Sequence, residues 1–395
     1  MTRLFLSDIG IVCPLGSGPG EVLQHLTKGW QGGIVEHSDP LLQRKAWIGR
    51  IGTGLPKLPS RLARYDCRNN RVALAAAWQI EPSLKDAIAR FGADRIATVV
   101  GTSTSGIAEG EHAMAVYRRT GTFPADYAYE QQEIGGLSEF LASYFGLSGP
   151  ALTIATACSS SGKVFASAAR MIAAGLCDAA LIGGADTYCR MTLNGFASLE
   201  SIAAGLCNPM SRNRDGINVG EGAALFLLTT DASEIELLGV GESSDAYHVS
   251  APEPYGTGAI AAMQSALFNA HIDPDQIAYI NLHGTATPLN DAMESRAVEA
   301  VFGLDVPCSS TKALTGHALG AAGALEAAFL WLALHPANTE RLLPPHIWDG
   351  QRDETLPSIA LVEPGEKRSR RQRAMLSNSF AFGGSNVSVI LGVAG

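Results

Sequence analysis

Cys158 lies in Thr156-Ala157-Cys158-Ser159-Ser160-Ser161-Gly162, where a short apolar run, residues 151–155, meets an Ala-rich stretch of helical pattern ending near Gly175. A thiol at a strand-to-helix junction faces the positive end of the helix dipole and backbone N–H groups with no intrahelical partner. That setting favours the thiolate, which is the nucleophilic form. The same N–H groups could hold the oxyanion formed when the sulfur attacks a thioester. The competing reading is a packed thiol, since cysteine is among the most buried residue types.

Three further segments carry groups that could serve such a nucleophile. His283 stands in Asn281-Leu282-His283-Gly284-Thr285-Ala286-Thr287, past a strand-like run and before a helix with Asp291 and Glu294. His317 closes Ser310-Thr311-Lys312-Ala313-Leu314-Thr315-Gly316-His317 and precedes a Gly/Ala-rich helix. A helix N-terminus disfavours imidazolium, and a neutral imidazole can donate an N–H to an enolate oxygen. A surface or capping role is the plain alternative for each histidine. Cys158, His283 and His317 are also zinc-ligand types, but the sulfur would then be spent on the metal, and no supporting carboxylate pattern accompanies them. Lys312 fits a surface charge, a Schiff-base amine or an orienting cation. Glu326, on the following helix, offers an ion partner that would hold it charged. In Asn378-Ser379-Phe380-Ala381-Phe382-Gly383-Gly384-Ser385-Asn386 the two glycines would let Phe382 swing, unless the segment is a plain turn.

To position these groups the chain alternates strand-like runs with Ala-rich helices: residues 3–12 then 20–26, 95–100, 151–155 then a helix from Ser160, and 179–183. Such alternation predicts βαβ units and a mainly parallel sheet covered by helices. The second half replays the first, with runs at 235–241, 277–280, 307–310, 375–377 and 387–391 and a helix over 259–270. Two similar α/β halves are expected, 1–231 with the nucleophile and 232–395 with both histidines and the Phe382 loop. Duplication of this kind brings corresponding loops from both halves to one shared cleft.

Composition agrees with a densely packed enzyme. The 395 residues are 46% hydrophobic and 17% charged, with 43 glycines; disorder and coiled coil fit poorly. The net charge of −9 argues against non-specific binding to nucleic acid or a membrane surface. Seven scattered cysteines without CxxC pairs read as reduced thiols in a cytoplasmic setting. Residues 1–18 lack a signal-peptide pattern. The apolar stretch 318–334 carries Glu326 at its middle and reads as a buried helix rather than a membrane span.

Taken in order, the Cys158, His283, Lys312–His317 and Phe382 segments resemble those of β-ketoacyl-acyl-carrier-protein synthases of the elongating type, over nearly the whole chain. Residues 214–222 and 243–248 are similar to further segments of that family. The resemblance implies a thiolase fold, with duplicated βαβ-type halves in an α-β-α-β-α layering, and a homodimer, with a heterodimer of related subunits as the variant. It implies a decarboxylative condensation: Cys158 takes an acyl chain from a carrier protein, the N–H groups of Cys158 and Phe382 form the oxyanion hole, and His283 and His317 hold the enolate of a malonyl thioester. Lys312 with Glu326 would orient the histidines, Phe382 would gate the two half-reactions, and Asp245 would lie in the loop that moves with it. Asn281, Glu326, Ser377 and Asn378 match positions that can hold a monovalent cation. No organic cofactor is implied.

Departures from the housekeeping pattern are Thr102-Ser103-Thr104-Ser105, Ser160-Ser161-Gly162-Lys163 and the region 37–58. Ser103 and Thr104 are expected at the floor of the acyl pocket, with Phe196 in its wall. A polar floor would suit a polyketide or aryl-polyene chain over a saturated one, unless the hydroxyls bond to their own turn. A thiolase is disfavoured because no cysteine follows Cys308, and a coenzyme-A-priming synthase because His317 would be Asn. A chain-length-factor-like partner subunit remains the alternative, though it would lack the nucleophile. For an acidic carrier protein, two basic clusters offer docking: Arg61, Arg64, Arg68 and Arg71, and Lys367, Arg368, Arg370, Arg371 and Arg373.

Overall fold

The computed structural model describes residues 3–38, 45–369 and 372–395. Ten strands form its frame: β1 (Phe5–Cys13), β2 (Ile96–Gly101), β3 (Ala151–Ile154), β4 (Ala179–Asp186) and β5 (Gly222–Thr229), then β6 (Ile235–Ser244), β7 (Ile277–Asn281), β8 (Cys308–Ser309), β9 (Ala374–Ala381) and β10 (Ser385–Val393). Hydrogen bonding orders them β3-β2-β4-β5-β1 in the first half and β8-β7-β9-β10-β6 in the second, joined where β1 meets β6 at Phe5 and Glu236. Each strand thus has a counterpart five places on, in the same position. Both halves are built alike.

Parallel pairing was expected to dominate. It holds on the flanks, where β2 runs with β3 and β4, and β7 with β8 and β9. Around the join the sheet is antiparallel, because β5 and β10 each turn back between an outer strand and the first strand of their half. The all-apolar run of β5, fully buried, is a strand the periodic reading passed over. A small second sheet of Ile34–His37, Ala46–Gly49 and Val219–Gly220 flanks the frame.

Two helices, Ser160–Ala173 and Ala322–Leu334, fill the space between the halves, sharing one core with residues such as Ile9, Ile182, Phe226, Met375 and Leu391. All residues of Ala322–Leu334 are buried, so it shows no polar face. The central helices meet at glycines: a Cβ on Gly323 would stand 2.6 Å from the Gly162 nitrogen. Ser161 accepts a hydrogen bond from the Ala324 N–H at 2.8 Å. The Ser161-Gly162 pair is therefore explained by a close helix crossing. Separate cores cover the outer faces, around Leu74, Leu84 and Phe140 in one half and Met263, Val298 and Leu376 in the other. The result is the expected α-β-α-β-α layering. Among the described residues no helix is long and apolar enough to cross a membrane.

Candidate active site

Cys158 sits between β3 and the central helix that starts at Ser160. The turn is strained: Ala157, a non-glycine residue, has φ of 51°. Ser160 accepts from the Thr156 N–H at 2.9 Å and donates to the Ala157 carbonyl at 2.6 Å, which closes the turn. Cys158 is only 6% exposed. Burial, the first influence on its thiol, pushes the pKa up to about 12; the Lys312 charge and a hydrogen bond from the Phe382 N–H pull the other way. The helix terminus does not leave the sulfur as a resting thiolate here, because desolvation of the charged form outweighs it.

His283 and His317 bring their ring nitrogens to this sulfur, with the ligand atoms of all three groups within 4.8 Å of one another. The rings meet edge to face, centroids 5.3 Å apart. His283 follows β7, and the backbone N–H groups of His283 and Gly284 both donate at 2.7 Å to the buried carboxylate of Glu294. His317 is pinned between Asn218 and Gly220: its N–H donates to the Asn218 carbonyl at 2.6 Å and its carbonyl accepts from Gly220 at 2.8 Å. Neither ring nitrogen of His317 has a partner among the described residues. Both imidazoles are held well below the usual range, by burial first and then by the Lys312 charge. Neutrality was expected from a helix terminus; burial is the leading cause.

Lys312 is 2% exposed and donates to Glu326 at 2.5 Å, while its Nζ lies 3.5 Å from His283 Nδ1. Burial lifts the Glu326 carboxyl to about 7, and Lys312 opposes that rise. The pair is a buried cation with its counter-ion, not a surface charge.

A cavity of about 290 Å³ leads to the three groups, walled by Phe196, Ile217, Asp245, Thr285 and Phe382 among others. The rings of Phe196 and Phe382 stand 5.6 Å apart. Gly383 and Gly384 carry φ of 85° and 74°. The Phe382 loop is tied to the Asp245 loop, Gly383 N–H to the Val249 carbonyl and Asp245 N–H to the Gly384 carbonyl, both 2.8 Å. These two backbone bonds couple the loops directly.

Ser103 and Thr104, expected in the pocket floor, are not among the residues lining this cavity. Thr102 and Thr104 donate their hydroxyls to Asp186, and Ser103 donates to the Ala157 carbonyl. Their hydroxyls bond to protein groups and do not face this cavity. Of the cation positions, Asn281 Oδ1, Glu326 Oε2 and Ser377 Oγ are buried without a partner among the described residues, and Asn281 and Ser377 are register neighbours on β7 and β9. Three oxygen donors, one anionic, fit a hard monovalent ion. The Asn378 side chain is engaged elsewhere, its Oδ1 accepting from Ser388 and its amide donating to Glu294.

Several members of the basic clusters are bound internally. Arg68 is bidentate to buried Glu221, and Arg71 to Asp66. Arg61 and Arg64 are exposed, Arg61 donating to the Ser143 and Tyr144 carbonyls. In the second cluster Arg368 is buried and Lys367 pairs with Glu340. Arg373 is exposed. Arg370 and Arg371 lie outside the described residues. Sequence reasoning missed Glu294 and Asn218 as supports. Glu294 had no signal beyond lying in an acidic helix, whereas Asn218 lies in the 214–222 segment already singled out.

Residues 57–233 match the beta-ketoacyl synthase N-terminal domain family and residues 235–347 its C-terminal domain family. The chain belongs to the β-ketoacyl synthase family. It is an acyltransferase of the condensing type with a thiolase-like fold. A 3-oxoacyl-[acyl-carrier-protein] synthase 2 of Vibrio harveyi is 30% identical over 98% of this chain and 98% of its own. Among solved structures, the ketosynthase ApeO in complex with its chain length factor ApeC from Xenorhabdus doucetiae superposes with a TM-score of 0.94 at 47% identity, covering 100% of this chain and 98% of that one. The ishigamide ketosynthase/chain length factor follows at 0.88 and 26%, each chain covered fully at 100%.

Proposed function

We propose that this β-ketoacyl synthase is the catalytic subunit of a ketosynthase pair that elongates a carrier-protein-bound chain by decarboxylative condensation. The observation that carries the reading is the convergence of Cys158 with two neutral imidazoles at the end of one cavity. In the first half-reaction the Cys158 sulfur gives up its proton as it attacks the acyl thioester carbonyl. The N–H groups of Cys158 and Phe382 hold the oxyanion, and the phosphopantetheine sulfur leaves with the proton. Arrival of an acyl donor supplies what the resting thiol lacks, a driving force that makes the buried charge transient.

In the second half-reaction the malonyl thioester loses CO2, and the electron pair of the broken bond moves onto the α-carbon as an enolate. His283 and His317 donate N–H to its oxygen, and burial, helped by the Lys312 charge, keeps that pair neutral. The carbanion attacks the acyl-Cys158 carbonyl, the sulfur leaves and is reprotonated, and a 3-oxoacyl thioester departs. Phe382, hinged by its glycines and coupled to the Asp245 loop, keeps the acyl donor and the malonyl thioester from occupying the site together. These steps call on no organic cofactor. A monovalent cation on Asn281, Glu326 and Ser377 would supply fixed positive charge beneath the site, with no step of its own.

The partner is a related chain. The outer strand β3 leaves its edge uncovered, with Leu152 48% exposed, and the helix Ile107–Thr120 of the same half buries only Gly110 and Ala113. Similarity to ketosynthase–chain length factor pairs supports a heterodimer across that edge and a polyketide-type product, aryl polyenes included, over the homodimer of a housekeeping enzyme. Arg64, with Arg61 beside it, is the proposed dock for an acidic carrier protein. Exposure to a panel of acyl-carrier-protein thioesters, followed by intact mass measurement, tests the reading. An adduct confined to Cys158 supports it; no adduct with any donor would make this chain the non-elongating partner subunit.

A further inference from the structure

Asp186 ends β4 with no exposed surface and takes no part in the steps above. Its Oδ1 accepts the hydroxyls of Thr102 at 2.6 Å and Thr104 at 2.7 Å, and the N–H groups of Ser103 and Thr104 at 2.9 and 2.8 Å. Oδ2 accepts the Ser103 N–H at 3.0 Å. This carboxylate gathers the residues directly after β2 into one arrangement, and charge-assisted bonds of this kind are the strong ones.

Ser103 hands that arrangement on. Its hydroxyl donates at 2.9 Å to the carbonyl of Ala157, the residue with left-handed φ immediately before Cys158. Ser160 donates to the same carbonyl, so two hydroxyls hold the strained turn, and one of them is placed by Asp186. A left-handed alanine persists only where its surroundings over-determine it. Across the clamp lies Gly320, three residues beyond His317. A Cβ there would stand 2.5 Å from Ser103 Oγ and 2.7 Å from Asp186 Oδ2. The nucleophile turn hangs on this carboxylate-held loop by the Ser103 hydroxyl, while the His317 segment only packs against it at Gly320.

We propose that Asp186 and Ser103 are positioning residues that fix where the Cys158 sulfur stands relative to His317 and the Phe382 N–H. The hydroxyl run after β2 is then an internal strut of the nucleophile and not a lining for the acyl chain. The inference rests on the acylation reading for its main readout. A displacement of order 1 Å at a reacting atom can cost ~10²-fold in rate, so the effect belongs to the acylation rate constant and not to donor binding.

The test compares Ser103→Ala and Asp186→Asn with the native chain in two reactions: acylation of Cys158, followed by intact mass, and malonyl-carrier-protein decarboxylation in a Cys158→Gln background. Loss of one hydroxyl should slow acylation about 10-fold, and Asp186→Asn about 10²-fold. The double variant should be no slower than Asp186→Asn alone. Donor KM and decarboxylation, which depends on the histidine pair, should stay within about two-fold. A merely structural role would lower both reactions in parallel, and that result, or unchanged acylation, overturns the proposal. Ser103→Thr, which keeps the hydroxyl, should recover acylation. Should Asp186→Asn fail to fold, Ser103→Ala and Ser103→Thr decide alone. Alkylation of Cys158 by iodoacetamide needs no carrier protein, so it separates this proposal from the function reading. Removing the neighbouring negative charge in Asp186→Asn should move the alkylation profile to lower pH, while an unmoved profile counts against Asp186.

Discussion

The two halves share one strand order yet equip it differently. After β2 in the first half stands a run of hydroxyls, and after β7 in the second stands His283. The turn following β3 carries the nucleophile, and the segment following β8 carries Lys312 and His317. In each half a buried carboxylate gathers backbone N–H groups of the loop after the central parallel strand: Asp186 for Ser103 and Thr104, Glu294 for His283 and Gly284. The device is the same, but its output is a nucleophile's support on one side and a hydrogen-bond donor on the other. On the proposed mechanism the duplicated frame divides one reaction between its copies, acylation to the first and enolate formation to the second.

The sharpest way to break that division is to delete one side. Cys158→Ala should abolish acyl-adduct formation and lower condensation by about 10³-fold or more, with little change in unfolding midpoint, since a small buried group is replaced by a smaller one. Cys158→Gln should retain malonyl decarboxylation, read as CO2 release. Loss of decarboxylation together with acylation would show that the halves do not act separately. In the second half, Lys312→Met leaves Glu326 buried without its cation. Breaking such a pair costs about 3–5 kcal/mol, measurable by urea unfolding, and Lys312→Met with Glu326→Leu should recover most of it while decarboxylation stays impaired.

Acid should also tell the halves apart. Buried neutral imidazoles occur only in the second half among the described residues: His283, His317 and His346, whereas His25, His37 and His112 are not buried. Burial holds the His346 pKa down to about 4, against 6.5 ordinarily. The folded value lies below the unfolded one, so the unfolded chain binds more protons below pH 6.5. Stability present above that pH is lost as pH falls toward 4, by about 3 kcal/mol for this group alone. His346→Gln should flatten the slope of unfolding free energy against pH in that window. Decarboxylation by the Cys158→Gln protein should show no imidazole inflection near 6.5, because His283 and His317 are already neutral there; an inflection at about 7 that Glu326→Gln removes belongs to that carboxyl.

How far the residues announced this arrangement depends on whether a role is local. Cys158, His317 and Phe382 were legible because their neighbours along the chain, a strand-to-helix turn or paired glycines, set their surroundings. Asp186 and Glu294 were not, because their partners are backbone N–H groups, which leave no trace in residue type. Thr102, Ser103 and Thr104 were read as a polar pocket floor since composition shows that hydroxyls are present but not which way they face. The central antiparallel pairing was hidden for a similar reason: β5 is a continuous apolar run, and periodicity states burial without direction. Arg68 stood in an exposed-looking basic cluster, yet its partner Glu221 lies 153 residues away.

That thinning of the basic cluster leaves the smallest expected effect. With Arg68 and Arg71 committed to internal carboxylates, the charge left for a carrier protein at this surface is Arg64, over the Tyr65 ring, and the partly engaged Arg61. Arg64→Glu should raise the KM for acyl-carrier protein by about 3- to 10-fold, the scale of a rim charge acting on encounter. It should leave kcat alone, and the gap should shrink as salt screens it. Arg68→Gln should instead lower stability by uncoupling Glu221 and leave the salt dependence of KM unchanged. If Arg68→Gln alters the salt dependence and Arg64→Glu does not, the docking surface has been placed on the wrong arginine.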